Sequence, residues 1–406
     1  MPDLYELLVV PEGQEPTSRQ KLLRTLMIKN GNQREVAEFT HMSPTNAGPI
    51  FAELEGLGLV TRRTQGRDVR VALAAVPGVA VGVELGFQSH TVAARPIHQP
   101  DAETVFVPGT RGARDGVATW TAEVRKNIRA AIDQLGLDED DIVTVGLGVT
   151  GVVDPTTGRL TPPAVPPWTE RDDPAAQLQA KLRADASADS LRARHQVKLD
   201  NDSTLAALAE SVEGGHEGES LLYVKVSTGV GAGLVVGNQV IRGERGAAGE
   251  IGHTFVEPRG EYCQCGGRGC LETVIGANAL VRKARAALTG LPTIQQPNTL
   301  AELIALATAN NLVCLRVLHE AAVMLGDTLG NVCNVLNPTK VVIGGGFAKA
   351  GDLVLGDLER AVRNRAMRAA TGHDKFSVAV SGLVEPSARG ALIMGIQGAW
   401  FTAQAP

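Results

Sequence analysis

The stretch GEIGHTFVEPRGEYCQCGGRGCLE, residues 249–272, holds three of the five cysteines of the chain and one of its eight histidines. These side chains are His253, Cys263, Cys265 and Cys270. One imidazole and three thiolates are the ligand set of a closed tetrahedral zinc site, and the glycines between them allow the chain to wrap tightly around an ion. Free buried cysteines are the alternative, but they do not require this spacing. The stretch therefore predicts structural zinc.

The composition of the chain narrows the class of protein. A length of 406 residues favours two or three domains, because domains average about 150 residues. No apolar run approaches the roughly 20 residues that a membrane span needs, and residues 1–16 lack the pattern of an export signal. An odd number of cysteines, mostly clustered, indicates a reducing compartment rather than a disulfide framework. We expect a cytoplasmic protein with no membrane partner.

The charge is distributed unevenly along the chain. The net charge is −5, which by itself argues against nucleic acid. Residues 17–73 nevertheless carry more Arg and Lys than Asp and Glu, while the residues before and after them are acidic. A basic segment on an acidic body is typical of a DNA-binding head on a sensing domain, although a solvated helix can also be basic.

The basic segment has the pattern of three short helices and a hairpin. Ser18 is expected to cap the first helix, and Asn32 with Glu35 resembles a capping box at the start of the second. The third begins with Pro44, where a missing N–H costs nothing. The two alternating runs that follow predict a hairpin. This pattern resembles a winged helix-turn-helix over residues 1–76, and the alternative is a small helical domain without a ligand.

The third helix and the hairpin form the predicted DNA-binding surface. In a winged helix-turn-helix the third helix enters the major groove, and arginines of the hairpin neutralise phosphates. Gly48 and Pro49 fall inside that helix, and an interior proline removes a hydrogen bond and kinks a helix. If the helix ends at Gly48, the base contacts depend on its first turn. The predicted DNA-binding residues are Ser43, Thr45, Asn46, Arg62, Arg63, Arg67 and Arg70.

After residue 77 the pattern changes to buried strands that alternate with helices. Glycine turns let backbone N–H groups approach a phosphate or another ligand, although one such turn alone is weak evidence. Strands that run into glycine turns occur at VAVGVEL (79–85), DIVTVGLGVTG (141–151), SLLYVKVSTGVGAGLVVG (220–237) and TKVVIGGGFAKAG (339–351).

These turns, in this order, resemble the ROK family, whose name joins repressors, open reading frames and sugar kinases. The resemblance extends over nearly all of residues 78–400, and residues 249–272 are its most specific part. It implies an α/β, actin-like and hexokinase-like fold of two domains that close on a cleft. The small domain is expected over residues 77–200, completed by 386–406, and the large domain with the zinc loop over residues 201–385.

The resemblance also implies a sugar site. Asn201 and Asp202 match the family's Glu-Asn-Asp motif, with Asp202 at the position of the kinases' catalytic base. A helix cap is the alternative role, and both roles are compatible. The other implied sugar ligands are Glu250, His253 and Glu272, with His253 giving one ring nitrogen to the metal and the other to the sugar.

A second implied sugar loop starts at GLGVTG (146–151) and continues through Asp154 to Trp168. Thr150 stands where a proline is common in the family. Trp168 is equally compatible with hydrophobic packing. We therefore expect closure of this loop over the sugar to differ from that in other members of the family.

One of the family's phosphate-binding turns is altered. The kinases carry Asp-x-Gly-Gly-Thr at the first strand turn, whereas this chain has Glu84-Leu85-Gly86-Phe87-Gln88. Phe87 replaces a glycine where the backbone must approach a phosphate, and Gln88 replaces a threonine hydroxyl. The later glycine turns are nearly intact, but tight turns between strands need glycine in any case. We expect little or no ATP binding, no catalytic residue, and Asp202 serving only as a hydrogen-bond acceptor for the sugar.

The whole sequence favours a sugar-responsive transcriptional regulator, taken as a repressor, in the branch of the family that includes the xylose, N-acetylglucosamine and glucose regulators. Its expected partners are operator DNA, a sugar effector and further copies of the chain in a homodimer or homotetramer. One alternative is an ATP-dependent sugar kinase with an appended head. Another is a sugar sensor that acts through a protein partner.

Overall fold

The computed structural model describes residues 15–66, 68–75, 78–161, 168–169, 172–187, 190, 196–289 and 296–398. The chain divides into two compact units of mixed α/β structure. The first unit has the limits Met1–Leu205 and Ser387–Pro406, and the second has the limits Ala206–Pro386. The first unit is therefore discontinuous in sequence.

The first unit begins with a head, residues 17–73, that has three helices and an antiparallel sheet of strand order β1-β3-β2. Its inner helix faces are apolar, and Leu22, Leu26, Phe51 and Leu54 are fully buried. The elements are α1 (Ser18–Ile28), β1 (Gly31–Asn32), α2 (Gln33–Phe39), α3 (Pro44–Gly56), β2 (Val60–Gln65) and β3 (Asp68–Leu73).

Capping boxes set the helix starts in the head. Thr17, rather than Ser18, caps α1, because its hydroxyl accepts from the Gln20 N–H and the Gln20 side chain accepts from the Thr17 N–H. The box needs Glu or Gln at the third helical position, and Gln20 stands three residues after Thr17. The box predicted for α2 is confirmed, with Asn32 and Glu35 each accepting from the other's N–H at 2.9 Å.

Helix α3 continues without interruption through Pro49. The sequence left open whether the helix ends at Gly48, and it does not. Pro49 lies on the exposed side, while Phe51 and Leu54 on the inner side are fully buried. A proline inside a helix costs about 3 kcal/mol, whereas burial of two large apolar side chains contributes about 3–6 kcal/mol. Packing against the head core therefore outweighs the lost hydrogen bond.

The rest of the first unit is built on a five-stranded sheet of order β10-β7-β4-β5-β6. Its elements are β4 (Val79–Leu85), β5 (His90–Pro96), β6 (Val105–Gly109), α4 (Val117–Leu135), β7 (Ile142–Val149), β8 (Val153–Asp154), β9 (Arg159–Leu160), α5 (Pro174–Arg183) and β10 (Val197–Asn201). Strands β4, β7 and β10 are mutually parallel, whereas β5 and β6 are antiparallel to their neighbours. Parallel strands end at the same edge of a sheet, so the turns after β4, β7 and β10 lie together.

The second unit has a five-stranded sheet of order β13-β12-β11-β14-β15, and α6 carries the chain into it. Its elements are α6 (Asp202–Glu213), β11 (Leu221–Val226), β12 (Val230–Val236), β13 (Gln239–Ile241), α7 (Leu271–Ile275), α8 (Ala277–Leu288), α9 (Leu300–Thr308), α10 (Leu312–Leu336), β14 (Lys340–Gly344), α11 (Asp352–Arg365), α12 (Arg368–Thr371) and β15 (Ser377–Val380). Within the described ranges, no single helix has the length and hydropathy of a membrane span, and only α9 and α10 together, bent by 114°, pass that test.

The chain returns to the first unit in α13 (Pro386–Gln397), which is buried on nearly every side. Its backbone lies directly against other backbone atoms. A Cβ on Gly146 of β7 would lie 1.9 Å from the Ala391 carbonyl oxygen, and one on Gly390 would lie 1.8 Å from the Leu205 carbonyl oxygen. Only glycine permits such close approaches, so these positions hold α13 against the sheet and against α6.

We expect Gly344→Ala to lower the free energy of unfolding of the second unit by about 1–3 kcal/mol, the usual cost of overpacking. Gly344 ends β14, and a Cβ there would lie 1.7 Å from the hydroxyl oxygen of Tyr223, whose fully buried ring cannot move aside. Differential scanning calorimetry measures the loss.

Gly356→Ala is the matched control, because Gly356 lies on the exposed face of α11 with no atom within 4 Å of an added Cβ. That variant should be neutral or stabilised by up to about 1 kcal/mol through helix propensity. Equal stability of the two variants would contradict the steric argument.

Candidate functional site

The four predicted metal ligands lie together in the second unit. His253 ends a short 3₁₀ turn, Cys263 and Cys265 lie in the loop that follows, and Cys270 immediately precedes α7. One ligand atom from each side chain lies within 4.8 Å of the other three. The remaining cysteines, Cys314 and Cys333, are fully buried in the apolar core of this unit.

The distances between the ligand atoms fit one zinc ion. The Nδ1 atom of His253 lies 3.5 Å from the Cys263 Sγ, and the Sγ atoms of Cys265 and Cys270 are 3.7 Å apart. Tetrahedral zinc has bonds of about 2.3 Å to sulfur and about 2.0–2.1 Å to nitrogen, which gives edges of about 3.5 Å between N and S and about 3.8 Å between two S atoms. Both measured separations match those edges.

The thiols of the cluster differ in acidity because their surroundings differ. Burial raises the pKa of Cys263 and raises the pKa of Cys270 to about 12. The N–H of Gly267, 3.4 Å from Sγ, lowers the pKa of the exposed Cys265. Zinc binds thiolates, so its binding must release the protons that Cys263 and Cys270 otherwise hold at neutral pH. The affinity of the cluster for zinc therefore decreases as the pH falls.

Two predicted sugar ligands, Glu250 and Glu272, lie close in the chain to the four predicted metal ligands. The Nε2 atom of His253 faces away from the cysteines and lies 3.5 Å from the Oε2 of Glu250. Glu272, in the first turn of α7, accepts the N–H of Val230 at 3.0 Å. A Cβ on Gly229 would lie 2.7 Å from the same Glu272 oxygen. The predicted sugar ligand Glu272 thus also holds the turn between β11 and β12.

Asn201 caps α6, which was the alternative to its role as a sugar ligand. Its Oδ1 accepts the N–H groups of Ser203 at 2.9 Å and Thr204 at 3.0 Å. Its Nδ2 donates to the carbonyl oxygen of Gly151 at 2.9 Å. The amide therefore ties the start of α6 to the turn after β7, and one amide hydrogen remains beyond these bonds.

Thr150, which the sequence marked only as a departure from proline, contacts a predicted site residue. Its hydroxyl donates to Asp202 Oδ2 at 3.4 Å, and the Ser203 hydroxyl donates to Oδ1 at 3.2 Å. Asp202 is buried, with 6% of its surface exposed. Thr150 lies beside Asp202 because β7 and β10 are parallel neighbours that end at the same edge of the sheet.

The second predicted sugar loop has structural contacts. Trp168 packs edge-on against Trp120 in the core of the first unit, with ring centroids 6.2 Å apart and an interplanar angle of 81°. The packing alternative is the one that the structure supports. Asp154 accepts the N–H groups of Thr156 and Thr157 and so closes the β8–β9 hairpin.

The altered turn after β4 is closed by its own backbone. The Gly86 N–H donates to the Ser89 carbonyl oxygen at 2.9 Å. The carbonyl oxygens of Gly86 and Phe87 accept from the N–H groups of Ala113 and Arg114. The one glycine N–H of this turn is therefore already used within the turn.

The turn after β14 is tightly packed inside the second unit. Gly345 has a φ of 75°, and a Cβ there would lie 2.5 Å from the Val226 carbonyl oxygen. The Gly346 N–H donates to the Ser227 hydroxyl at 3.1 Å. Gly345 is thus explained by its approach to the end of β11, so it does not by itself indicate a nucleotide.

The predicted DNA-binding residues on α3 lie at its start. Ser43 is the N-cap, and its hydroxyl accepts the N–H of Asn46 at 3.3 Å. The side chains of Thr45 and Asn46 are exposed on the first turn. Farther along α3, Glu53 forms an ion pair with Arg19. The uncharged first turn is therefore the exposed part of α3 best suited to base edges.

The arginines of the hairpin have different surroundings. Arg63 and Arg70 are directly opposite each other on β2 and β3, and both are exposed. Arg62 is half-buried, and its Nη1 lies 3.5 Å from the Glu55 carboxylate. Arg67 lies outside the described residues. Arg63 and Arg70 are consequently the most accessible positive charges among the described hairpin residues.

We expect purified protein to contain about one zinc ion per chain, since the four ligand atoms match one tetrahedron. Replacing Cys265 and Cys270 together with Ala should reduce the zinc content below about a tenth, because two thiolates are lost. Elemental analysis by plasma mass spectrometry measures this. Cys314→Ala, which removes a buried thiol outside the cluster, should keep the full zinc content. Zinc retained by the double variant would contradict the assignment.

Comparisons with known proteins agree with this architecture. A model of the ROK family matches residues 113–397. A glucokinase of Halalkalibacterium halodurans is 32% identical over 279 residues, which cover 66% of this chain and 81% of the glucokinase. A putative xylose repressor of Caldicellulosiruptor sp. is 31% identical over 246 residues, which cover 58% of each chain.

Solved structures share the fold. A ROK-family transcriptional regulator, a homologue of the Escherichia coli MLC protein, has a TM-score of 0.73 at 19% identity and covers 93% of this chain and 96% of its own. A ROK-family glucokinase from Streptomyces griseus, solved with glucose and AMPPNP, has a TM-score of 0.61 at 24% identity and covers 79% of this chain and 100% of its own. The fold is the actin-like, hexokinase-like α/β fold that the sequence predicted. Because the family model matches more than half of its residues, the chain belongs to the ROK family.

Proposed function

We propose that this ROK-family chain is a sugar-responsive transcriptional repressor whose head, residues 17–73, is a winged helix-turn-helix that binds operator DNA. The observation that carries the proposal is the head itself. The solved regulator structure aligns with 93% of this chain, whereas the solved glucokinase structure aligns with 79% of it. The regulator therefore resembles a larger share of the chain. A relative named as a putative xylose repressor supports the same reading.

The charge on the hairpin supports DNA binding. Arg63 and Arg70 are directly opposite each other, and like charges in this arrangement destabilise a strand pair by about 0.2–1 kcal/mol. A phosphate backbone between or beside the two guanidinium groups removes that repulsion and releases counterions. The hairpin is therefore best suited to a polyanion, with Arg62 contributing less because Glu55 lies beside it.

The first turn of α3 supplies groups for base recognition. Asn46 is exposed and carries both a donor and an acceptor, which match the N7 and N6 positions of adenine in the major groove. Thr45 lies beside it, and Ser43 retains its hydroxyl proton while it caps the helix. A homodimer, or a homotetramer of two dimers, would place two such heads on a pseudo-palindromic operator.

The sugar effector is proposed to contact Asn201, Asp202, Glu250, His253 and Glu272, which the family resemblance implies as its ligands. Several polar groups with fixed orientation are what a polyhydroxylated ligand requires. Asn201, Asp202 and Glu272 are already oriented by hydrogen bonds within their own units. Structural zinc would orient His253 in the same way. By reciprocity, a sugar that weakens DNA binding must itself bind more weakly to the DNA-bound protein.

A sugar kinase with an appended head is the second candidate. It is favoured by the glucokinase relative and by Asp202, which is retained at the position of the kinases' base. The altered turn at residues 84–88 argues against it. In that turn the Gly86 N–H is used internally and Phe87 occupies a glycine position, so we infer that ATP phosphates lack a binding surface there.

We expect the protein to bind a labelled DNA fragment from upstream of its own gene, and D-xylose, D-glucose or N-acetylglucosamine to release it. Fluorescence anisotropy at two salt concentrations measures both effects. Arg63→Gln and Arg70→Gln should each weaken binding and reduce the slope of log K against log salt by about 0.9, because each removes one phosphate contact. Arg282→Gln, which removes an exposed arginine of the second unit, is the control. Affinity no greater than that for a random fragment argues against the repressor.

We expect no sugar-dependent release of ADP by the wild-type protein, because the turn at residues 84–88 lacks the kinase residues. A coupled ADP assay with the same sugars measures this. Phe87→Gly with Gln88→Thr restores those residues and should raise the activity above background. Asp202→Asn in that background should abolish it again, since the base is lost. Activity in the wild type that Asp202→Asn removes would establish the kinase instead.

A further inference from the structure

Backbone contacts connect the proposed sugar residues Asn201 and Asp202 to helix α13. Asn201 caps α6 and Asp202 is its first residue. One turn farther on, the Leu205 carbonyl oxygen lies so close to Gly390 of α13 that a Cβ there would be 1.8 Å away. No flexible side chain separates the two helices at this point. A displacement of α6 therefore acts directly on α13.

Helix α13 carries such a displacement to the head. Its 12 residues span about 18 Å, and it is buried almost throughout its length. At its end, Arg24 of α1 donates from Nη1 to the Gln397 carbonyl oxygen at 2.6 Å. Gly398 follows with a φ of 59°, and a Cβ there would lie 2.9 Å from the same Nη1. A guanidinium at a helix C-terminus also stabilises the negative end of the helix dipole.

Arg24 is buried to an extent that is unusual for a cation. Only 5% of its surface is exposed, and burial lowers its pKa to about 10, so it remains charged at neutral pH. Removing a charge from water is costly unless acceptors surround it. The bond from this charged guanidinium to the Gln397 carbonyl oxygen is charge-assisted and therefore stronger than a bond between neutral groups. It holds α1 against the end of α13.

A second buried arginine holds the same end of α1. Arg95 of β5, 2% exposed, donates from Nη2 to the Met27 carbonyl oxygen at 3.4 Å and from Nη1 to the Pro100 carbonyl oxygen at 2.7 Å. Nearby, Asn30 donates to the Asp101 carboxylate at 2.9 Å. The head is therefore bonded both to the sheet and to α13.

We propose that Arg24 is a positioning residue, which couples the head to α13 so that sugar binding at Asn201 and Asp202 changes the orientation of the DNA-binding surface. This inference rests on the proposed function and adds the series of contacts by which sugar binding acts on the head within the first unit. The head moves with α13 as one body, and Arg24 is the group that links them. Without that bond the head still folds and still binds DNA, but it no longer responds to the sugar.

The test compares Arg24→Met with Arg19→Gln in the full-length protein. Both variants remove one positive charge from α1. Arg19 is a matched control because it is 40% exposed and pairs with Glu53 inside the head. Methionine fills much of the arginine volume, and apolar replacement of a buried charge is often neutral for stability. Arg24→Lys, which keeps the charge but loses the planar fork, is the second variant.

Amide hydrogen exchange gives the first readout and needs no sugar. For Arg24→Met we expect at least tenfold faster exchange in the last turns of α1 and α13, with the core of the head unchanged, because local opening no longer breaks a buried bond. Arg19→Gln should exchange like the wild type. Exchange in Arg24→Met that equals the wild type would overturn the coupling, and this holds whether or not the protein binds DNA.

DNA affinity, with and without saturating D-xylose or D-glucose, gives the second readout. In the wild type we expect the effective sugar to weaken DNA binding about tenfold, within the usual range of coupling. In Arg24→Met the factor should fall below about twofold while the affinity for the sugar stays within twofold of wild type, and Arg24→Lys should be intermediate. An unchanged factor in Arg24→Met overturns the role of Arg24. A wild type that does not bind DNA overturns the proposed repressor instead, and the exchange result then still decides the coupling.

Discussion

Backbone-to-backbone packing of α13 is the constraint on which the first unit depends. Gly82 and Gly146 in adjacent strands meet the carbonyl oxygens of Ala388 and Ala391 at distances that exclude any side chain. Side chains adjust to a small shift by changing rotamer, but two backbones in contact do not. The sheet, α13 and the start of α6 are therefore one rigid assembly. Asn201 and Asp202, two of the residues proposed to contact a sugar, belong to it, and the head is bonded to it through Arg24 and Arg95.

The second unit contains a loop, residues 249–270, that lacks regular structure apart from one short turn and supplies few apolar side chains to the core. A loop of this kind cannot offset its conformational entropy by hydrophobic burial alone. A metal ion held by the four clustered ligand atoms would give it an alternative source of stability. The metal cluster adjoins α7, whose Glu272 holds the turn between β11 and β12. Zinc would thus order the carboxylates and the turn together.

Repressors and kinases of this family share a fold, so function must be read from particular groups. The glycines after β14 illustrate the difficulty. They look like the remains of a nucleotide site, yet Tyr223 and Val226 require glycine there without any nucleotide. The turn after β4 is more informative, since Phe87 is not required by such packing and is partly exposed. The head is the second feature that bears on the choice between repressor and kinase, because a kinase needs no surface with paired arginines.

Local spacing let the sequence predict the four clustered candidate metal ligands, the capping box of α2 and the strands that alternate with helices, because each depends on residues close in the chain. It placed the cap of α1 at Ser18 instead of Thr17. It left open whether α3 continues past Pro49, which the burial of Phe51 and Leu54 in the core decides. Only the tertiary structure brought Thr150 to Asp202 and the Asn201 amide to the Gly151 carbonyl oxygen. The bond from Arg24 to Gln397 joins residues 373 positions apart. No local pattern encodes such a contact, because it exists only after the C-terminal helix has packed against the sheet.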